Sequence, residues 1–209
     1  MIYKGLHAVR FFVNLTGVEL VLNGLNASNP NYASLLRWNN DNADFSEIWQ
    51  ANNNGVDLNH NYDALWQVGK SAERENGVFG PGPTRYSGEH PESEAESRAV
   101  ANFSRSIKFD LAIALHSQGE VIYWTFDNIE PPNAAAIGKK LEKASGYELD
   151  SPEGMASCSG YKDWFMQEFN KPGYTIEVGL GKNPLPIEQL ESICKRVFPA
   201  LIAAASSEL

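Results

Sequence analysis

From residue 109 onward, short apolar runs alternate with helix-spaced segments, and this alternation restricts the fold more than any other feature of the chain. Residues 109–115 and 121–126 read as strands, 133–145 as a helix closed by Gly146, 161–169 as an amphipathic piece and 174–178 as another strand. A last helix starts near Pro186, buries Leu190, Ile193, Val197 and Leu201, and bends at Pro199. Strands alternating with helices predict an α/β fold: a mixed, mostly parallel sheet flanked by helices. The 209 residues suffice for one domain with one core, spanning 1–209.

The N-terminal half is less regular. Residues 9–13 are β-branched and aromatic and read as a buried strand. A long Asn-rich stretch follows, with aromatic anchors at Tyr32, Trp38, Phe45 and Trp49; a loop of that length is functional or packed on itself. Gly and Pro punctuate a turn at 77–88. Ser93 and Glu96 then have the spacing of a capping box, ahead of helically spaced Ala95, Ala99, Val100 and Phe103.

Composition excludes several classes. A net charge of -9 does not suit a nucleic-acid surface, which needs clustered Lys and Arg. No run of twenty apolar residues is present, so no membrane span is expected. The first residues lack an apolar stretch ending in small residues, so no secretory signal is expected and the expected location is cytoplasmic. Cys158 and Cys194 read as two separate thiols.

Two polar residues stand at the ends of apolar strands. FDLAIALHSQG delivers His116 into a turn, and YTIEVG places Glu177 at the edge of another run. In open α/β sheets, functional groups collect beyond the carboxyl ends of strands. A neutral imidazole is a good zinc ligand, and a carboxylate there is costly unless paired, metal-bound or used as a base. From local pattern alone, His116 could instead hydrogen-bond a loop and Glu177 could pair with a lysine. GVDLNHNYDALW offers an Asp and two Asn suited to orienting a carboxylate or peptide, although such residues are common in loops.

Taken in order, GVDLNHNYDALW, YSGEHPESEAES, ALHSQG, SGYKDW and YTIEVG resemble the motifs of the zinc carboxypeptidase family. NLTGVELVLNG is similar to that family's Asn-Pro-Asp-Gly-Val turn, with Pro and Asp replaced. The details look closest to the bacterial γ-D-glutamyl-diamino-acid peptidases that cut peptidoglycan peptides. The resemblance implies a zinc metallopeptidase with His116 as a zinc ligand and Glu177 as the general base. It implies that Asn59 helps hold the substrate's terminal carboxylate, with His60 standing where the family has an arginine, and that Lys162 lies at a specificity-pocket position suited to an acidic substrate side chain. The implied partner is a peptide or muropeptide.

The chain departs from that pattern in one large respect. The family's first two zinc ligands come from a His-x-x-Glu segment well before the Asn-Pro-Asp-Gly turn, and this chain starts almost at that turn. His7 has Arg10 where a glutamate would stand and reads as a surface or strand-edge residue; His90 reads as solvated. Tyr161 is not assigned the role of the family's mobile tyrosine, whose place falls near Met155 or Ala156. The resemblance therefore implies an N-terminally truncated domain with one of about three zinc ligands. An inactive relative, acting at most as a peptide-binding module, is the alternative. Such a domain would expose a sheet edge, with Phe11 and Phe12 as candidates for uncovered surface and self-association as a consequence.

Overall fold

The structure, a computed structural model, describes residues 12–151 and 158–207. These fall into two compact units, one of residues 109–151 with 165–207 and the other of 12–108 with 158–164.

The first unit is the sheet. β1 (Ala112–His116), β2 (Val121–Tyr123), β3 (Glu148–Asp150) and β4 (Gly173–Glu177) form a sheet of order β1-β4-β2-β3. β1 pairs with β4 and β2 with β3 in parallel, while β2 and β4 are antiparallel, so the sheet is mixed and mostly parallel. Alternation along each strand sends Ile122, Tyr174 and Ile176 to one face. There they pack with Ile137 and Leu141 of α5 (Ala134–Ser145) and Val197, Ala200 and Ala204 of α7 (Leu190–Ala205). α5 ends as its sequence implies, with Gly146 at φ 70° in the left-handed region and its N–H bonded to Glu142 O. Tyr174 brings a hydroxyl into this core and satisfies it by donating to Ala134 O at 2.6 Å.

One detail of the last helix differs from expectation: Leu190, its first residue, is 51% exposed and follows a 3-10 turn over Ile187–Gln189. The helix runs through Pro199, the site of the expected bend. The edges of the described sheet are β1 and β3, and Leu115 on β1 is 54% exposed.

The second unit contains α1 (Leu15–Asn23), α2 (Tyr32–Trp38), α3 (Trp66–Glu75) and α4 (Ala95–Ile107); α6 (Tyr161–Phe169) begins in it. Of the expected strand 9–13, residues 9–11 lie outside the described residues; Phe12 and Val13 are not in a strand, and Phe12 is 65% exposed. NLTGVELVLNG is a helix, not a turn. Asn14 caps it by accepting from Gly17 N at 2.9 Å, and its amide donates to Gln50 O and Ala51 O. The Asn-rich stretch packs on itself as expected around Phe45 and Trp49, which meet edge to face at 4.9 Å beside buried Leu20 and Leu35. Tyr32 is no anchor, being 39% exposed on α2.

The capping box does not form. Glu94 occupies the cap position of α4 and makes no side-chain cap bond. Ser93 accepts a hydrogen bond from the Asn61 amide and donates to the Glu94 carboxylate, so its hydroxyl is already committed. α3 is a helix that local pattern does not reveal, because its buried stripe includes Gly69 and Glu73. Glu73 is tolerated at 2% exposure by an ion pair to Lys70 at 2.8 Å and by the Ser87 N–H and hydroxyl.

Cys158 and Cys194 are separate thiols. Among the described residues, no helix is long and apolar enough to cross a membrane.

Candidate active site

In the sheet unit, His116 and Glu177 are the last residues of β1 and β4 and are register partners. Side chains at paired positions of parallel strands point to the same face, so the imidazole and carboxylate stand side by side on strands about 4.8 Å apart. Val121, paired with Glu177 across the antiparallel side, shares this face, as do Tyr123 and Thr175 one rung back. Burial pushes the Glu177 carboxyl up to about 7, so it is poised to take or give a proton near neutrality. Among the described residues Glu177 forms no ion pair.

The chain after each strand is held by backbone bonds. Val178 N donates to His116 O and Gly119 N to Gly179 O, each at 2.8 Å. Gly179 has φ 68°, and a β-carbon there would lie 2.6 Å from Leu185 Cδ1 and 2.8 Å from Gln189 Oε1. Gly179→Ala is therefore expected to lower stability by roughly 2 kcal/mol, through a strained φ and an overfilled contact, measured as a shift in urea midpoint.

In the helical unit, GVDLNHN forms a short 3-10 turn over Leu58–His60 with Asp57 as its cap. Asp57 is 5% exposed; its carboxylate accepts from Asn59 N at 3.2 Å, Arg85 N at 2.8 Å and Thr84 Oγ1 at 3.1 Å, and lies 3.9 Å from His60 Nε2. These bonds leave the Asn59 side chain exposed and His60 half-buried on the surface of the turn. Asn59 Oδ1 lies over Gly160, where a β-carbon would stand 3.7 Å away.

Lys162 is not a solvated cation. It is 3% exposed and ion-paired with the equally buried Asp163. Burial raises the Asp163 carboxyl above its ordinary range, against the opposing pull of Lys162, the Gly160 backbone and His60. Asn59, His60, Lys162 and Asp163 thus gather around Gly160 in one unit, and His116 and Glu177 at the strand ends of the other. The sequence points to the Asp and Asn of GVDLNHNYDALW but not to Asp163, and the cap position of Asp57, two residues before Asn59, shows it as the residue that organises the turn.

Two buried asparagines hold this unit's loops. Asn61 is 0% exposed; its amide donates to Ser87 O at 2.8 Å, Ser93 Oγ at 2.9 Å and His90 O at 3.2 Å, while its oxygen accepts from Ser97 Oγ and Glu94 N. Asn52 and Asn54 both donate to Glu94 Oε2 at 2.8 Å. Burial alone would raise the Glu94 carboxyl, but these amides, the Ser93 hydroxyl and the Arg98 charge outweigh it and hold the group below its ordinary value. Tyr161 is also committed, 2.9 Å from the Ser104 hydroxyl and edge-on to Tyr62 at 5.4 Å. The stretch around Met155 and Ala156 lies outside the described residues.

Among the described residues, no group of three or more His, Cys, Asp or Glu side chains gathers as a metal site. A catalytic zinc takes about three protein ligands. His116 with Glu177 beside it does not by itself fit that ion.

A profile of the zinc carboxypeptidase family matches residues 11–200. The chain is 40% identical over 191 residues to γ-D-glutamyl-L-diamino acid endopeptidase 1 of Lysinibacillus sphaericus, an alignment covering 91% of this chain and 46% of that protein. Among solved structures, it is similar to bovine thrombin-activatable fibrinolysis inhibitor in complex with tick carboxypeptidase inhibitor, with TM-score 0.57 and 21% identity over 72% of this chain and 56% of that one. It is likewise similar to the murein-tripeptide amidase MpaA of Escherichia coli O157, with TM-score 0.54 and 23% identity over 76% of this chain and 62% of that one. The chain spans about half the length of the curated relatives it matches first.

Proposed function

Because this chain belongs to the zinc carboxypeptidase family, we propose that it carries the base-bearing strand pair and the substrate-orienting loops of a metallopeptidase acting on peptidoglycan-derived peptides, with 1–209 working as one catalytic domain. One observation carries this reading: His116 and Glu177 are paired in register at the carboxyl ends of adjacent parallel strands, where the family's motifs require a ligand and a base.

In this reading Glu177 accepts a proton from the attacking water and returns it to the leaving amine. Asn59 and His60 orient the peptide's carboxylate end, and Lys162, held by Asp163, supplies the positive charge that favours an acidic substrate side chain. His116 would be one ligand of a zinc ion, which would polarise the scissile carbonyl; the described residues bring no group of three donors together to complete such a site. The peptidoglycan assignment follows the 40% identical γ-D-glutamyl-diamino-acid endopeptidase.

A second reading has one specific observation in its favour. With no three-donor group among the described residues, the chain could act as a peptide-binding module without hydrolysis. The two readings are separated by incubating the zinc-supplemented protein with a γ-D-glutamyl-meso-diaminopimelate peptide and following new amino groups. Release from that peptide, and not from its α-linked isomer, is expected of the peptidase. Binding without release assigns the module role, and neither binding nor release overturns both.

A further inference from the structure

Arg196 of α7 makes contacts well outside its own helix. Its Nη1 lies 2.5 Å from Glu120 Oε2, its Nε donates to Ser145 O at 2.8 Å and its Nη2 to Gly146 O at 2.9 Å, and the guanidinium lies 4.1 Å over the Tyr147 ring. One side chain therefore joins α7, the end of α5, the approach to β3 and the turn after β1.

The Glu120 end of that bridge leads back to His116. Glu120 closes the turn of residues 117–120 between β1 and β2, itself at φ 54° after Gly119 at φ 148°. The turn and the strand end before it are tied elsewhere too: His116 O accepts from Val178 N, Gly119 N donates to Gly179 O, and Ser117 O accepts from the Asn183 amide at 2.9 Å. Glu120 O also accepts from Glu148 N at 3.2 Å. Each of these ties links the turn to β3 or to the chain after Glu177. Arg196 links it to a helix, through a charged pair whose side chains are 33% and 26% exposed.

We propose that Arg196 is a positioning residue for His116: through Glu120 it fixes the 117–120 turn and with it the orientation of the imidazole beside Glu177. This inference rests on the peptidase reading for the importance of His116, and on geometry alone for the coupling. The guanidinium fork is essential, because it serves a carboxylate and two carbonyls at once while stacking on a ring. A lysine ammonium cannot reproduce that arrangement.

The test reads the His116 ring nitrogens by NMR in the intact chain, so it is independent of whether the protein cleaves any peptide. Glu120→Gln keeps both carbonyl bonds of Arg196 and removes only the charged pair. It is expected to broaden or split the His116 ring signals and to leave those of His60 and His90 unchanged. Arg196→Lys should do the same. Lys195→Met, which removes only the surface pair to Glu191, should leave His116 unmoved. A lower melting temperature in Glu120→Gln and Arg196→Lys with unaltered His116 signals would show that Arg196 merely braces the fold, and the proposal would be wrong. Loss of peptidase activity in the unmodified protein would sink the peptidase reading and leave the coupling standing.

Discussion

Replacing Glu177 by glutamine is expected to lower hydrolysis of a γ-D-glutamyl-diaminopimelate peptide by about 10²–10⁴-fold, the range lost when a positioned general base is removed. The amide is nearly isosteric, so peptide binding should change little and the effect should fall on kcat. The same variant should show an opposite effect on stability. In the native protein, burial raises the Glu177 carboxyl to about 7 from an unfolded value of 4.5. The folded state therefore binds more protons than the unfolded state between those values, and stability falls as pH rises through that window, levelling off above about 7. Glutamine cannot ionise. Glu177→Gln should remove that decline and be more stable than the native protein at pH 8, measured by urea unfolding at several pH values. Loss of activity with gained stability at alkaline pH distinguishes a functional buried carboxylate from a structural one.

The second large effect concerns Asn61. Its five side-chain hydrogen bonds join the loop before α3, the 87–93 segment and the first turn of α4. Asn61→Ala leaves Glu94 N without its acceptor and Ser87 O with the Trp66 indole as its remaining side-chain donor, in an interior with no exposed surface at residue 61. A buried group left unsatisfied costs about 1–3 kcal/mol and the other lost bonds add to it, so a loss of roughly 2–4 kcal/mol is expected. Asn61→Asp keeps the acceptor and loses the donors; its negative charge would face the Ser87 and His90 carbonyls, so it should be no milder. Because α4 starts where Asn61 holds it, hydrogen exchange should show the first turn of α4 opening before its last.

The C-terminal half was legible because its signals are local and agree with one another. Residues 133–146 carry helical spacing and a terminating glycine, and the helix ends where that glycine turns left-handed. The runs ending at His116 and Glu177 are apolar enough to be strands in any context, so their ends could be placed to within a residue. Their pairing partner could not: nothing local says that β4, the last strand in sequence, inserts between β1 and β2. The N-terminal half misled where tertiary demand overrode local chemistry. Ser93 looks like a cap until Asn61, thirty-two residues earlier, claims its hydroxyl. NLTGVELVLNG looks like a turn until Asn14 caps it from one side and anchors to the 50–51 backbone on the other. Lys162 looks like a surface charge because its partner is its own neighbour, and adjacent opposite charges are ordinarily both solvated.

The central claim is that His116 and Glu177 form one reacting centre, and residue-resolved zinc titration tests it most directly. Excess zinc is added to the native chain and to His116→Ala and Glu177→Gln, and the ring-nitrogen signals of all histidines are followed. The claim predicts that His116 responds at the lowest zinc concentration, that Glu177→Gln weakens that response, and that His116→Ala abolishes the tightest binding phase. A His116 signal that stays fixed while His60 or His90 shifts first, with His116→Ala binding as tightly as the native chain, would contradict it.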